Sequence, residues 1–223
     1  MKVEIKLEVP NNWKAVTLKD YLALRKDMET YKDDEEATFA CLLHHLCKFP
    51  LEYLQQMDID TYIAIKKDIY SFFNNIESPL QRFITIDGVE YGFEPDLSKM
   101  AYGAYLDISK YESLEINEKW GEIMSILYRP VVKKSGALYD IETYKGTIDG
   151  DKFMNVPMDV HFSTLFFFNN LLKDLSKSIL KSLKEELTEV DMHPKLKEIL
   201  LENGEATHPL CNLHMGIFSD SKK

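Results

Sequence analysis

A chain of 223 residues, 45% apolar and 29% charged, buries roughly 70–75% of its unfolded surface, which excludes disorder as its main state and fits one large domain or two small ones. Its 37 acidic against 27 basic residues give a net charge of −10. That argues against a nucleic-acid surface of clustered Lys and Arg and reads as a solubility device or a face for a basic partner. Cys41, Cys47 and Cys211 are too few and too odd in number for a disulfide framework, and they fit a reducing compartment.

Val3, Ile5, Leu7 and Val9 alternate with Lys2, Glu4, Lys6 and Glu8. This period of two predicts a half-buried strand, ended by Pro10. It is not the continuous apolar core of a signal peptide, so a chain outside the usual export route is expected. Thr17, with Asp20 three residues on, resembles a capping box and predicts a helix to about Thr30. The acidic run Asp33 to Glu36 reads as the next helix N-terminus, where carboxylates complement the dipole; a cation site is the alternative. That helix runs to Lys48 and is broken by Pro50. Two further helical pieces are expected, Leu51–Gln56 and Thr61–Asn75. The second follows Asp58 or Asp60 as cap and turns Ile65, Ile69, Phe72 and Phe73 inward.

The pattern then changes to strands. Phe83–Ile86, Asp87-Gly88 and Val89–Phe93 form a hairpin signal with a type I′ turn, closed by Pro95. A short helix is expected around Ser98–Tyr105. Asn117 caps another helix through Tyr128, with Trp120, Ile123, Met124 and Leu127 inward and Pro130 as its stop. Residues 131–156, with Gly136, Gly146 and Gly150, read as loop with room for a short hairpin anchored by Tyr139 and Tyr144. Asp149-Gly-Asp151 lacks the acidic series of a calcium loop and reads as a turn.

From Met158 to about Val190 the pattern is helical. Leu165, Phe168, Leu172, Leu175, Ile179, Leu183 and Leu187 recur every three or four residues, as the buried spine of the C-terminal half would. Pro194 suits the first turn of a last helix to Glu202, and Asn203-Gly204 a stop. The most apolar stretch, Thr164–Leu172, is broken by Asn169 and Asn170 and is too short to span a bilayer. The expected class is α+β, predominantly helical. Residues 1–78 hold a strand and helical bundle, 79–204 a hairpin and helical region with the long helix 158–190, and 205–223 an irregular tail; one continuous domain is the alternative.

Cys41 and His45 share a helix face, with His44 and Cys47 nearby and His208, Cys211 and His214 spaced by three in the tail. Zinc needs four ligands in tetrahedral array, and nothing in the sequence brings the two groups together. Buried cysteines and a satisfied histidine are the preferred reading, and no metal is assigned. No Gly-x-Ser-x-Gly, HExxH, P-loop or Gly-x-Gly-x-x-Gly pattern is present. No catalytic or cofactor-binding residue is therefore named. Phe166, Phe167 and Phe168 point in three directions around a helix, about 100° apart, so either the domain's own core surrounds them or part of that surface meets a partner. Lys173, Lys177, Lys181 and Lys184 make a basic edge on an acidic protein. It is either a solvated face or a strip for an acidic partner or nucleic acid. The candidate partner surface is accordingly Phe166, Phe167, Lys173, Lys177, Lys181 and Lys184.

One series of residues carries a resemblance. It comprises Trp13-x-x-x-Thr17-Leu18-x-x-Tyr21, Ile86-Asp-Gly-x-x-Tyr91-Gly-Phe93-x-Pro95-Asp96-Leu97, Met100-x-x-Gly103-x-Tyr105-Leu-Asp107, Ile123 to Pro130, and Pro157-x-Asp159 leading into Leu165–Phe168. In that order, over most of residues 10–185, it resembles proteins of the tail-morphogenesis gene blocks of tailed phages of Bacteroidota, crAss-like viruses among them. The resemblance implies a non-enzymatic assembly protein similar to tail assembly chaperones, which bind the tape-measure protein before the tail tube polymerises. A structural virion component (tail, neck or connector subunit) is the alternative. The resemblance implies a tape-measure or other tail protein as partner and no cofactor, with homo-oligomers left open; the acidic charge makes nucleic acid an unexpected partner, and no membrane is expected. The expected location is the cytoplasm of the infected host, or the virion. No residue role transfers with it. By their chemistry, Tyr91, Trp120 and Tyr128 are core aromatics, and Arg129 is placed to pair with Asp107 and hold a helix end.

Overall fold

The computed structural model describes residues 7–73, 79–111, 113–136 and 138–189, with side chains as far as residue 182. The chain divides into two units, Met1–Leu165 and Phe166–Lys223.

In the first unit, local signals start and stop the helices as the chemistry dictates. The Thr17 hydroxyl accepts from the Asp20 N–H at 3.2 Å and donates to its carboxylate at 2.8 Å, opening α1 (Leu18–Thr30). Asp34 accepts from the Ala37 N–H to open α2 (Glu35–Cys47), and Lys48, at φ 53°, closes it. Leu51–Gln56 forms a 3-10 turn. Asp58 caps α3 (Ile59–Phe73) through Thr61, and Ile65, Ile69, Phe72 and Phe73 are buried as expected. Trp13 wedges between Phe72, Phe73 and Phe162 with ring centroids 4.4–5.2 Å away, so this part of the core is aromatic. Residues 7–10 form no strand, and the rest of the expected N-terminal strand lies outside the described residues.

A four-stranded antiparallel sheet follows in the order β1 (Phe83–Ile86), β2 (Val89–Phe93), β3 (Tyr128–Ser135), β4 (Leu138–Ile141). Asp87 and Gly88, at φ 51° and 78°, make the expected I′ turn. Ile84, Ile86, Tyr91 and Phe93 are buried. Where one helix was expected at Ser98–Tyr105, extended backbone at Met100 and Ala101 separates a 3-10 turn from α4 (Tyr102–Ile108). The helix expected to run through Tyr128 is α5 (Trp120–Leu127). Pro130 does not end it; the chain has already entered β3, whose length the sequence assigned to loop.

Trp120, Ile123, Met124, Ile126 and Leu127 of α5 are almost wholly enclosed. Gly121 lets the helix backbone lie directly on the Gly150–Phe153 turn. A Cβ at Gly121 would come within 2.6 Å of the Gly150 carbonyl oxygen. The last helix, α6 (Met158–Glu189), belongs to the first unit as far as Leu165. There it buries Met158, Val160, Phe162 and Leu165 together with His161, Ser163 and Thr164.

Beyond Leu165 the helix departs from expectation. Leu171, Leu172, Leu175 and Ile179 are 44–53% exposed and do not form a buried spine. A three-and-four periodicity fixes that the apolar residues share a face; it carries no information about what covers that face. The expected helix 194–202, the tail 205–223 and the side chains of Leu183 and Leu187 lie outside the described residues.

Candidate functional site

Two places hold polar or apolar groups in arrangements worth a functional reading. One is a cleft in the first unit; the other is the second unit's part of α6.

The cleft, of about 320 Å³, is lined by Tyr91, Tyr128, Arg129, Tyr144, Lys145, Lys152 and Phe153 among others. Arg129 organises its floor. Its Nη2 donates to Glu94 Oε2 at 2.6 Å, Nη1 to the Ile126 carbonyl and Nε to the Glu142 carbonyl, each at 2.8 Å. The last bond substitutes for a missing one. Glu142 N–H donates to the Pro130 carbonyl at 2.8 Å, but a proline has no N–H to return to the Glu142 carbonyl, and Arg129 supplies that donor. The Ile126 bond holds the C-terminal end of α5, as expected of Arg129. The expected partner was wrong: Glu94, not Asp107, takes the guanidinium. Asp107 instead accepts from Lys110 and from the Tyr144 hydroxyl, which together hold its carboxyl below the usual range. Burial and the neighbouring Asp107 push the Tyr144 hydroxyl up to about 12. Lys152 lies between Asp149, at 3.3 Å, and Tyr91.

Arg129, Asp107, Tyr144 and Lys152 are thus engaged with each other, with Glu94, Lys110 and Asp149, and with backbone. The Arg129 bonds tie the end of α5 and the start of β3 to the residues that follow β2 and β4.

Behind it lies a buried polar layer that the sequence reading missed. Trp120 Nε1 donates to His161 Nδ1 at 3.2 Å, and His161 Nε2 sits 3.2 Å from the Val156 carbonyl. The tautomer with hydrogen on Nε2 satisfies both contacts. Desolvation pushes the His161 pKa down to about 4, so the ring is neutral at physiological pH. The Tyr128 hydroxyl donates to the Gln81 carbonyl at 2.7 Å, and Gln81 Nε2 donates to Asp159 at 2.7 Å.

The Cys/His group on α2 is dispersed into separate contacts. His45 Nε2 lies 2.7 Å from Asp27 Oδ2, and His44 Nδ1 lies 3.3 Å from the Phe49 carbonyl. Cys41 is buried, and burial pushes the Cys47 thiol up to about 11. Among the described residues no group of three or more His, Cys, Asp or Glu is placed to hold a metal. His208, Cys211 and His214 lie outside the described residues.

The candidate partner surface on α6 separates into two sides. At 100° per residue, Leu172, Leu175 and Ile179 fall on one face, flanked by Leu171. Lys173, Lys177, Lys181 and, by position, Lys184 centre roughly 160° away; the Lys184 side chain lies outside the described ones. Phe166 falls on the lysine side, and Phe167 on the flank next to Leu171. Phe166 and Phe167 are half-buried, and Phe167 packs edge-on against Phe168 at 5.4 Å. Lys173, Lys177 and Lys181 are exposed, with Asp174 3.7 Å from Lys177. The six predicted residues therefore lie together along one side and flank of a helix, and the apolar row opposite was not part of the expectation.

No helix among the described residues is long and apolar enough to cross a membrane. No family model, curated protein or solved structure matches this chain.

Proposed function

We propose that this protein is a non-enzymatic bacteriophage morphogenesis factor, similar to tail assembly chaperones, that presents α6 to another tail protein. One observation carries the reading: beyond Leu165 the helix exposes lysines along one side and leucines along the other. A helix that served only its own core would hide the apolar side. The lysine side suits an acidic segment of the partner, and Phe166 adds an aromatic anchor at one end of it. The order of motifs from Trp13 to Phe168 supports the phage assignment.

Co-expression of the full chain with a tape-measure protein of such a phage, followed by affinity capture at low salt, tests this. The complex is expected to be recovered. Lys173→Glu, Lys177→Glu and Lys181→Glu together are expected to weaken it roughly 3- to 150-fold, since exposed ion pairs contribute about 0.2–1 kcal/mol each. Failure to capture any tail protein contradicts the reading. Stoichiometric copies in washed virions would replace the transient role with that of a structural subunit.

A further inference from the structure

We propose that the cleft between α5, β3 and the 142–149 loop binds a small planar organic anion, with a carboxylate or phosphate group against the loop and a flat apolar body on the aromatic floor. The proposal is independent of the tail-protein assignment, which rests on α6.

The floor gives the site its shape. Tyr91, Tyr128 and Phe153 are buried, and both tyrosine rings lie against Phe153, with centroids 6.1 and 6.4 Å away. Rings packed in this way hold their places, so the cleft exists before a ligand arrives. Its volume of about 320 Å³ falls at the small end of the range for small-molecule sites, roughly 300–1,000 Å³.

The donors give the site its sign. Arg129, Lys145 and Lys152 line the cleft against the carboxylates of Glu142 and Asp149, in a chain of net charge −10. Glu94 meets the Arg129 charge, and Asp149 lies 3.3 Å from Lys152. Lys145 has no partner among the described residues. Arg129 spends three N–H groups on Glu94, Ile126 and Glu142, and a guanidinium has five. The loop adds more donors. Its ends are tied, with the Glu142 N–H on the Pro130 carbonyl and the Asp149 N–H on the Ser125 hydroxyl. Between them, none of the backbone N–H groups of residues 143–148 donates to another described group. The Thr143 and Thr147 hydroxyls, which also line the cleft, have no described partner either. An oxyanion accepts from several donors at once, and its bonds to cationic side chains are the stronger ones. A neutral ligand would leave the Lys145 charge unmet, and a cation would face it.

Amide NMR of the full chain at low ionic strength, titrated with phenyl phosphate to about 20 mM, tests this. Saturable shifts centred on residues 143–148 are expected, with a Kd of about 0.1–5 mM. The Lys145 side chain is exposed, so Lys145→Ala leaves the rest of the spectrum unchanged. It is expected to weaken binding roughly 1.5- to 5-fold, the effect of one exposed ion pair, and Lys145→Glu to weaken it further. Inorganic phosphate, which lacks the flat body, is expected to bind more weakly, and benzyl alcohol, which lacks the charge, to give no saturable shift. Absence of saturable shifts at residues 143–148 overturns the proposal, as does binding unchanged by Lys145→Glu. Benzyl alcohol or inorganic phosphate binding as tightly as phenyl phosphate overturns it too.

Discussion

Arg129 and Glu94 form an ion pair in which both side chains are nearly enclosed. Removing one partner leaves a desolvated charge. Arg129→Ala is therefore expected to cost about 3–5 kcal/mol, read as a large drop in thermal midpoint. The combination of Glu94→Gln with Arg129→Gln should cost less than the two single changes added. His161 makes a second residue-level prediction. Burial holds its pKa at about 4, below the ordinary 6.5 that it regains on unfolding. Between those values the unfolded chain takes up a proton that the folded chain refuses, so acid favours unfolding. Stability should be complete above about pH 6.5 and fall towards pH 4, with a contribution to the slope of at most about 1.4 kcal/mol per pH unit. Urea titrations across that window, with His161→Gln flattening the profile relative to wild type, check it. Most lowered carboxylates, such as Asp58, Asp96 and Asp107, titrate below the window.

At the level of elements, α5 depends on an approach that only glycine permits. Gly121→Ala places a methyl carbon against the Gly150 carbonyl, which is backbone and cannot swing aside. A loss of about 1–3 kcal/mol in urea unfolding is expected. The elements legible in the sequence were those whose signals close on themselves within a few residues: Thr17 with Asp20, Asp34 with Ala37, and Asp87-Gly88 between two β-rich runs. β3 was not legible. Its pairing joins Pro130 to Tyr91, and a proline stop with no alternation after it looks like loop until β2 and β4 are in place. Arg129 was legible as the residue that holds the end of α5, but Glu94 was not, because their pairing requires two strands to meet. The Trp120–His161 contact left no pattern at all. On α6 the sequence showed the lysine side and the apolar face, and it mistook the second for core because spacing alone does not report covering.

At the scale of the whole molecule, an acidic chain gathers lysines along one side of one helix and leaves leucines about half exposed on the other. On the proposed function, α6 is a docking element for another chain. Photocrosslinking reads this most directly. A photoreactive side chain is placed in the full-length protein at position 177, and separately at position 132 on β3 as a control, during co-expression with tail proteins of a tailed phage of Bacteroidota. A discrete crosslinked adduct with a tail protein is expected from position 177 and none from position 132. Silence at 177, or adducts to the same protein from 132 alone, would contradict it.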